Sequence, residues 1–231
     1  METFKETIKI AIDGPSGAGK TTVAKIVAKR LGFLYVDTGA MYRALALQLR
    51  DSLIDLSDDS AVSDILTHTE IDIKHDENGQ QHVYLDGRDV TEDIRTSEIS
   101  MFASDISANP LVRQGLVQLQ RDIACKHNVI MDGRDIASIV LPHANLKIFL
   151  TATLEERATR RFNEQTINKQ DVTFDEVKRE MKKRDQNDSS RKSAPLMLVS
   201  DAVVVDTTDI TLGASIDLIE KIIKEKLFDV L

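Results

Sequence analysis

Nine consecutive residues, Gly14-Pro15-Ser16-Gly17-Ala18-Gly19-Lys20-Thr21-Thr22, carry the clearest chemistry in the chain. Glycines at these spacings let backbone amides converge on an anion, and a helix starting at Lys20 adds the partial positive charge of its N-terminus. Lys20 then reaches the outer phosphates, and the hydroxyl of Thr21 or of Thr22 can face Mg²⁺. A Gly-rich strand-to-helix turn without a ligand accounts for the glycines, but not for a lysine and two hydroxyls at the helix start. The stretch predicts a bound nucleotide polyphosphate, with Lys20 as an exposed loop lysine whose loss costs the fold little.

A phosphate loop specifies a nucleotide, not a reaction. Two short patterns point to a GTPase switch: Asp76-Glu77-Asn78-Gly79 fits D-x-x-G, and Asn168-Lys169-Gln170-Asp171 fits N-K-x-D. Neither sits where a switch needs it. The first reads as an Asn-Gly hairpin turn rather than the end of a buried strand, and the second lies in a polar segment rather than after an apolar one. Four further segments carry arginines and carboxylates together: Asp37-Thr38-Gly39-Ala40-Met41-Tyr42-Arg43, Asn109-Pro110-Leu111-Val112-Arg113, Val129-Ile130-Met131-Asp132-Gly133-Arg134-Asp135, and Arg184-Asp185 with Asp188 and Arg191. The tetrapeptide Asp-Gly-Arg-Asp occurs twice. Its copy at 86–89 reads as a turn, whereas the copy at 132–135 ends an apolar run, where ligands gather at the carboxyl ends of parallel strands.

The elements that must position these groups alternate between strand and helix. Ile8 to Ile12, Phe33 to Val36, Val129 to Met131, Leu146 to Leu150 and Ala202 to Val205 read as buried strands, which together imply a parallel sheet. Lys20 to Leu31, Ala40 to Leu49 and Pro110 to Lys126 read as helices, the last opened by Asn109 as N-cap and Pro110 at the first helical position. From Ser215 onward Ile216, Ile219, Ile223 and Leu227 form one apolar stripe of a packing helix. Ile71 to Val90 departs from the alternation as an antiparallel meander turned at Asn78-Gly79 and Asp86-Gly87, an inserted three-stranded flap. Thr153 to Lys192 departs again, with two capping boxes, Thr153 with Glu156 and Thr173 with Glu176. From Glu155 to Lys192 there are 11 basic and 9 acidic residues, so this arm is cationic in a chain of net charge −8.

With the phosphate loop, these motifs closely resemble bacterial cytidylate kinases over nearly the whole chain, flap included. The resemblance implies an α/β fold, a five-stranded parallel sheet P-loop kinase core within one domain spanning 1–231. It carries an inserted nucleotide-binding region at about 38–108 and an arginine-bearing lid at about 153–192. It also implies transfer of the γ-phosphoryl group of ATP to CMP or dCMP, with Mg²⁺ as cofactor. Arg43, Arg134 and Arg191 are then expected on the acceptor phosphate, where guanidinium forks suit two-pronged contact. Ser104, Arg113 and Asp135 are expected on the cytosine edge, Asp188 with Arg184 near the ribose, and Thr38 in the hydroxyl position before the glycine of its motif. Lys20 draws charge from the bridging oxygens, Asp132 holds a metal-bound water, and lid arginines among Arg157, Arg160 and Arg161 close over the migrating group. Many relatives have glycine where this chain has Thr21, which leaves the metal-facing threonine open. UMP remains an alternative acceptor.

Composition excludes other classes. The 231 residues, 42% hydrophobic and 29% charged, suit one globular domain. The apolar runs are too short to span a bilayer, and Met1 to Glu6 lack a secretory pattern, so a cytoplasmic protein is expected. A monomer is the expected state, although nothing in the sequence fixes it. The carboxylate surplus argues against a nucleic-acid surface. Cys125, the single cysteine, reads as a buried structural thiol, and five histidines lack metal-site spacing, although His75 and His82 can meet across a hairpin.

Overall fold

The computed structural model describes residues 7–77, 80–167 and 172–227. In chain order its elements are β1 (Lys9–Asp13), α1 (Lys20–Leu31), β2 (Leu34–Asp37), α2 (Thr38–Asp51), α3 (Asp59–His68), β3 (Ile71–His75), β4 (Gln81–Leu85), β5 (Arg88–Asp89), α4 (Ser97–Ile106), α5 (Pro110–Lys126), β6 (Val129–Gly133), β7 (Leu146–Thr151), α6 (Leu154–Ile167), α7 (Phe174–Ser190), β8 (Val203–Asp206) and α8 (Leu212–Lys226). Five parallel strands lie in the order β2-β6-β1-β7-β8, and β3-β4-β5 form a separate antiparallel sheet, as expected for an α/β core carrying a flap.

Alternation along β1 shows how the sheet is buried on both faces. Ile10 and Ile12 point toward α1 and α8, where Val23, Val27, Ile219 and Ile223 cover them, while Ala11 points to the opposite layer of α2, α4 and α5. Each fully buried isoleucine contributes about 1.5–3 kcal/mol relative to exposure. Helices α6 and α7 have a satellite packing of their own around Ala158, Val177 and Met181, with Phe162 edge-on to Phe174 at 6.0 Å.

Helix starts follow side-chain chemistry. Asp37 caps α2 by accepting from the Ala40 amide, Asn109 caps α5, and Thr173 with Glu176 forms the full reciprocal box on α7. Several expectations need correction. Thr153 accepts from the Glu156 amide, but its own amide binds Thr208 and Glu156 turns to Arg160, so that box is half formed. The C-terminal helix starts at Leu212 under a Thr211 cap, before Ser215. Strand ends run one residue on, to Asp13, Asp37 and Asp206, because a parallel ladder pairs backbones whatever the side chain. Cys125 is exposed rather than buried, since Ala124 takes the inward position on α5. His75 and His82 diverge, one to the Tyr35 carbonyl and the other to Asp89. Asn78-Gly79 and Asn168 to Asp171 lie outside the described residues.

Candidate active site

The phosphate loop leaves β1 at Asp13 and enters α1 at Lys20. Gly14 has φ of 151°, and a Cβ there would lie 1.9 Å from the Leu150 carbonyl oxygen, so the loop can pass β7 only without a side chain. At Gly19, the N-cap of α1, no side chain caps the first amides of the helix. Those donors, with the helix dipole behind them, are open to phosphate. The loop is braced from the cationic arm. Arg157 donates to the carbonyls of Ala152 at 3.0 Å and Ser16 at 2.9 Å and pairs with Asp185 at 2.7 Å, while Asp185 accepts from the Ser16 amide at 3.3 Å.

Lys20 is 5% exposed, not the exposed loop residue expected, and its ammonium donates to the Pro15 carbonyl at 2.7 Å. Burial, and then the charge of Arg134, hold it well below the ordinary lysine value. The charges of Asp132 and Asp13 offset this only in part.

Three carboxylates end neighbouring strands. Asp13 pairs in register with Gly133, and Asp37 with Asp132, so all stand at the carboxyl edge of the sheet. Asp13 is pushed up to about 6 by burial, although it accepts from the amides of Ala137 and Ile136. Asp132 is also raised to about 6, by burial and then by Asp37. Its Oδ1 accepts from the Tyr35 hydroxyl at 2.8 Å and its Oδ2 from Thr21 at 3.1 Å. Thr21 therefore faces Asp132. The Thr38 hydroxyl donates to the Asp132 carbonyl at 2.8 Å, and Thr22 is exposed.

Arginines converge on one buried carboxylate. Asp188, 1% exposed, accepts from Arg134 at 2.7 Å, from Ser104 at 3.3 Å and from Arg191, and these cations hold it below the ordinary carboxylate range despite its burial. Arg184 beside them is pushed down to about 9, by burial and then by Arg134. Arg113 and Asp135 form a second buried pair. Between these clusters stands Tyr42, pushed up to about 12 by burial. Arg43 binds Asp37 at 3.1 Å, and Arg161, on Glu164 at 2.9 Å, borders a cleft with Ser16 and Arg184. Within one sheet edge the fold thus places an anion cradle opposite a cluster of guanidinium groups.

A family model described as cytidylate kinase matches residues 10–226. The chain belongs to the cytidylate kinase family. The cytidylate kinase of Caldicellulosiruptor bescii is 49% identical over 95% of this chain and 98% of the relative, and that of Streptococcus suis (strain 05ZYH33) is 46% identical over 98% and 99%. A crystal structure of an uncharacterized protein from Eubacterium ventriosum matches the fold with a TM-score of 0.55, covering 95% of this chain and 99% of that chain, at 14% identity.

The arginines expected on one acceptor phosphate divide between two partners. Arg134 and Arg191 share Asp188, while Arg43 stands on Asp37. Arg157 and Arg160 are committed to backbone carbonyls and Arg161 is not. Sequence reasoning passed over Asp13, Tyr35 and Gln81, and gave no role to Asp37, Tyr42 and Asp185, which stand inside its motifs. Asp13 and Asp37 had a legible signal, an acid closing an apolar run just before a helix or loop. Tyr35 and Gln81 had none, because their partners lie 97 and 44 residues away.

Proposed function

We propose that the chain transfers the γ-phosphoryl group of ATP to CMP or dCMP, giving ADP and CDP or dCDP. Family membership over residues 10–226 carries this reading, and the cradle facing the arginine cluster supports it. An oxygen of the acceptor phosphate attacks the γ-phosphorus as the bond to the β,γ-bridging oxygen breaks, so the protein's task is alignment and charge neutralisation. Gly14, Pro15, Ser16, Gly17, Ala18, Gly19, Lys20, Thr21 and Thr22 cradle the donor phosphates, and Lys20 moves its ammonium from the Pro15 carbonyl to the phosphate oxygens. Arg43, Arg134 and Arg191 hold the acceptor phosphate, with Arg134 and Arg191 poised by Asp188.

Ser104, Arg113 and Asp135 read cytosine, whose exocyclic amine meets a carboxylate that repels uracil's carbonyl. Arg184 and Asp188 flank the ribose, and Thr38 holds the strand end bearing Asp132. Arg161 closes over the transferred group, while Arg157 serves as the brace that keeps the loop in shape. Thr21 and Asp132 present adjacent oxygens, the donor type a hard cation takes, and are the residues that would hold Mg²⁺. When bound, that ion neutralises charge on the β- and γ-phosphates. The inserted region at about 38–108 frames the acceptor, and the arm at about 153–192 is the lid that excludes water. A monomer is part of the same reading. A cytoplasmic location belongs to the same reading; no described helix is long and apolar enough to cross a membrane.

A coupled ADP-release assay with CMP, dCMP, UMP, AMP and GMP tests the reading. Turnover is expected with CMP and dCMP. Equal or faster turnover with UMP, or GTP hydrolysis with no acceptor, would overturn it.

A further inference from the structure

Val83 and Leu85 of the flap pack into the core beside α2, and a cross-strand pair ties the flap to β2. His75 and Gln81 stand opposite each other in the β3-β4 register, and both reach the outer side of β2. Nε2 of His75 meets the Tyr35 carbonyl at 2.8 Å, while the Gln81 amide accepts from the Asp37 N–H at 2.9 Å and donates to the Asp37 carbonyl at 3.5 Å. Because β2 is an edge strand, these backbone groups have no neighbouring strand on that side. The Gln81 side chain thus replaces a missing strand at the last residue of β2, and it does so while only 8% exposed.

What hangs from that peptide is not structural alone. Through Oδ1 Asp37 caps α2 at the Ala40 amide, 2.9 Å away, and through Oδ2 it holds one prong of Arg43 at 3.1 Å. Gly39 leaves the room for this fold-back, since a Cβ there would crowd Asp37 Oδ1 at 3.1 Å and an Arg43 terminal nitrogen at 3.2 Å. The Nε of Arg43 is buried with no hydrogen-bond partner among the described residues, and the residue lines a cleft together with Gln81 and Thr21. A guanidinium with one prong fixed and others open is poised for a ligand, and its direction depends on where the Asp37 peptide sits.

We propose that Gln81 is a positioning residue for phosphoryl transfer, fixing through Asp37 the direction in which Arg43 presents its guanidinium to the acceptor phosphate. This rests on the role given to Arg43 above. It also assigns the flap a task in catalysis, because a misplacement of about 1 Å in a reacting group costs on the order of a hundredfold in rate.

The test is a double-mutant cycle with Gln81→Met, which keeps length and removes the amide, and Arg43→Ala, read by steady-state kinetics with CMP and ATP each varied and by thermal unfolding. In the wild-type background Gln81→Met is expected to lower kcat/KM for CMP by at least about tenfold while KM for ATP stays within about twofold. In the Arg43→Ala background the same change is expected to alter kcat/KM for CMP by less than about twofold, because the group being aimed is gone. Equal effects in both backgrounds, wild-type kinetics in Gln81→Met, or a silent Arg43→Ala would overturn the proposal. If Gln81→Met does not fold, Gln81→Leu enters the same cycle, and if that fails too Gln81 is structural and the proposal falls. A wild-type enzyme without CMP-dependent ADP release would instead overturn the proposed function.

Discussion

The phenol of Tyr35, on β2, donates to Oδ1 of Asp132, on β6, across 2.8 Å, and both side chains are buried. Burial, and next the charge of Asp132, push the Tyr35 hydroxyl well above the ordinary tyrosine value, so it is a permanent donor. With Thr21 on Oδ2, both oxygens of Asp132 are fixed in direction.

Tyr35→Phe removes the Oδ1 donor and should lower stability by about 1 kcal/mol. The hydrogen bond favours the ionised carboxylate, so its loss raises Asp132 above its present value of about 6. The acid limb of kcat should move to higher pH. A pH-rate profile superimposable on wild type would exclude Asp132 as the group that must be ionised.

Lys20→Ala should abolish most activity without weakening the fold. Because burial and Arg134 disfavour the Lys20 charge, the folded protein carries a penalty that the substitution removes. The unliganded variant should unfold at or above the wild-type temperature, with kcat reduced by at least about a hundredfold. A marked drop in unfolding temperature would contradict this account.

Asp135→Asn leaves the Arg113 charge buried without its partner, which should destabilise by about 3–5 kcal/mol. It also offers a donor to uracil's carbonyl. The ratio of kcat/KM for CMP to that for UMP should fall by about tenfold, or about 1.4 kcal/mol, measured below the variant's unfolding temperature. An unchanged ratio with both rates lowered would reduce Asp135 to a brace for Arg113.

Asp13→Asn isolates a pH effect. Since the folded value of Asp13, about 6, lies above the unfolded 3.8, the folded state binds the extra proton between them. Wild-type stability therefore falls as pH rises through that window, and the Asn variant lacks this component. Urea unfolding should show the stability difference shifting in the variant's favour by about 2 kcal/mol between pH 4 and pH 7. A pH-independent difference would mean that Asp13 titrates alike in folded and unfolded chains.

By itself the sequence determined everything carried by local spacing. The phosphate loop needs glycines and a lysine within nine residues, the caps at Asn109 and Thr173 act within three, and the apolar runs dictate the parallel sheet. Only the tertiary structure decided how charged groups pair. Asp188 draws Arg134 from 54 residues away, Tyr35 finds Asp132 across 97, and Arg157 reaches back 141 to Ser16. An arginine in a charged helix reads as a solvated surface residue until packing buries it. Desolvation then makes an unpaired charge too costly, so each guanidinium must find a carboxylate, a carbonyl or a ligand, and which of these it finds depends on chain crossings that no local pattern encodes.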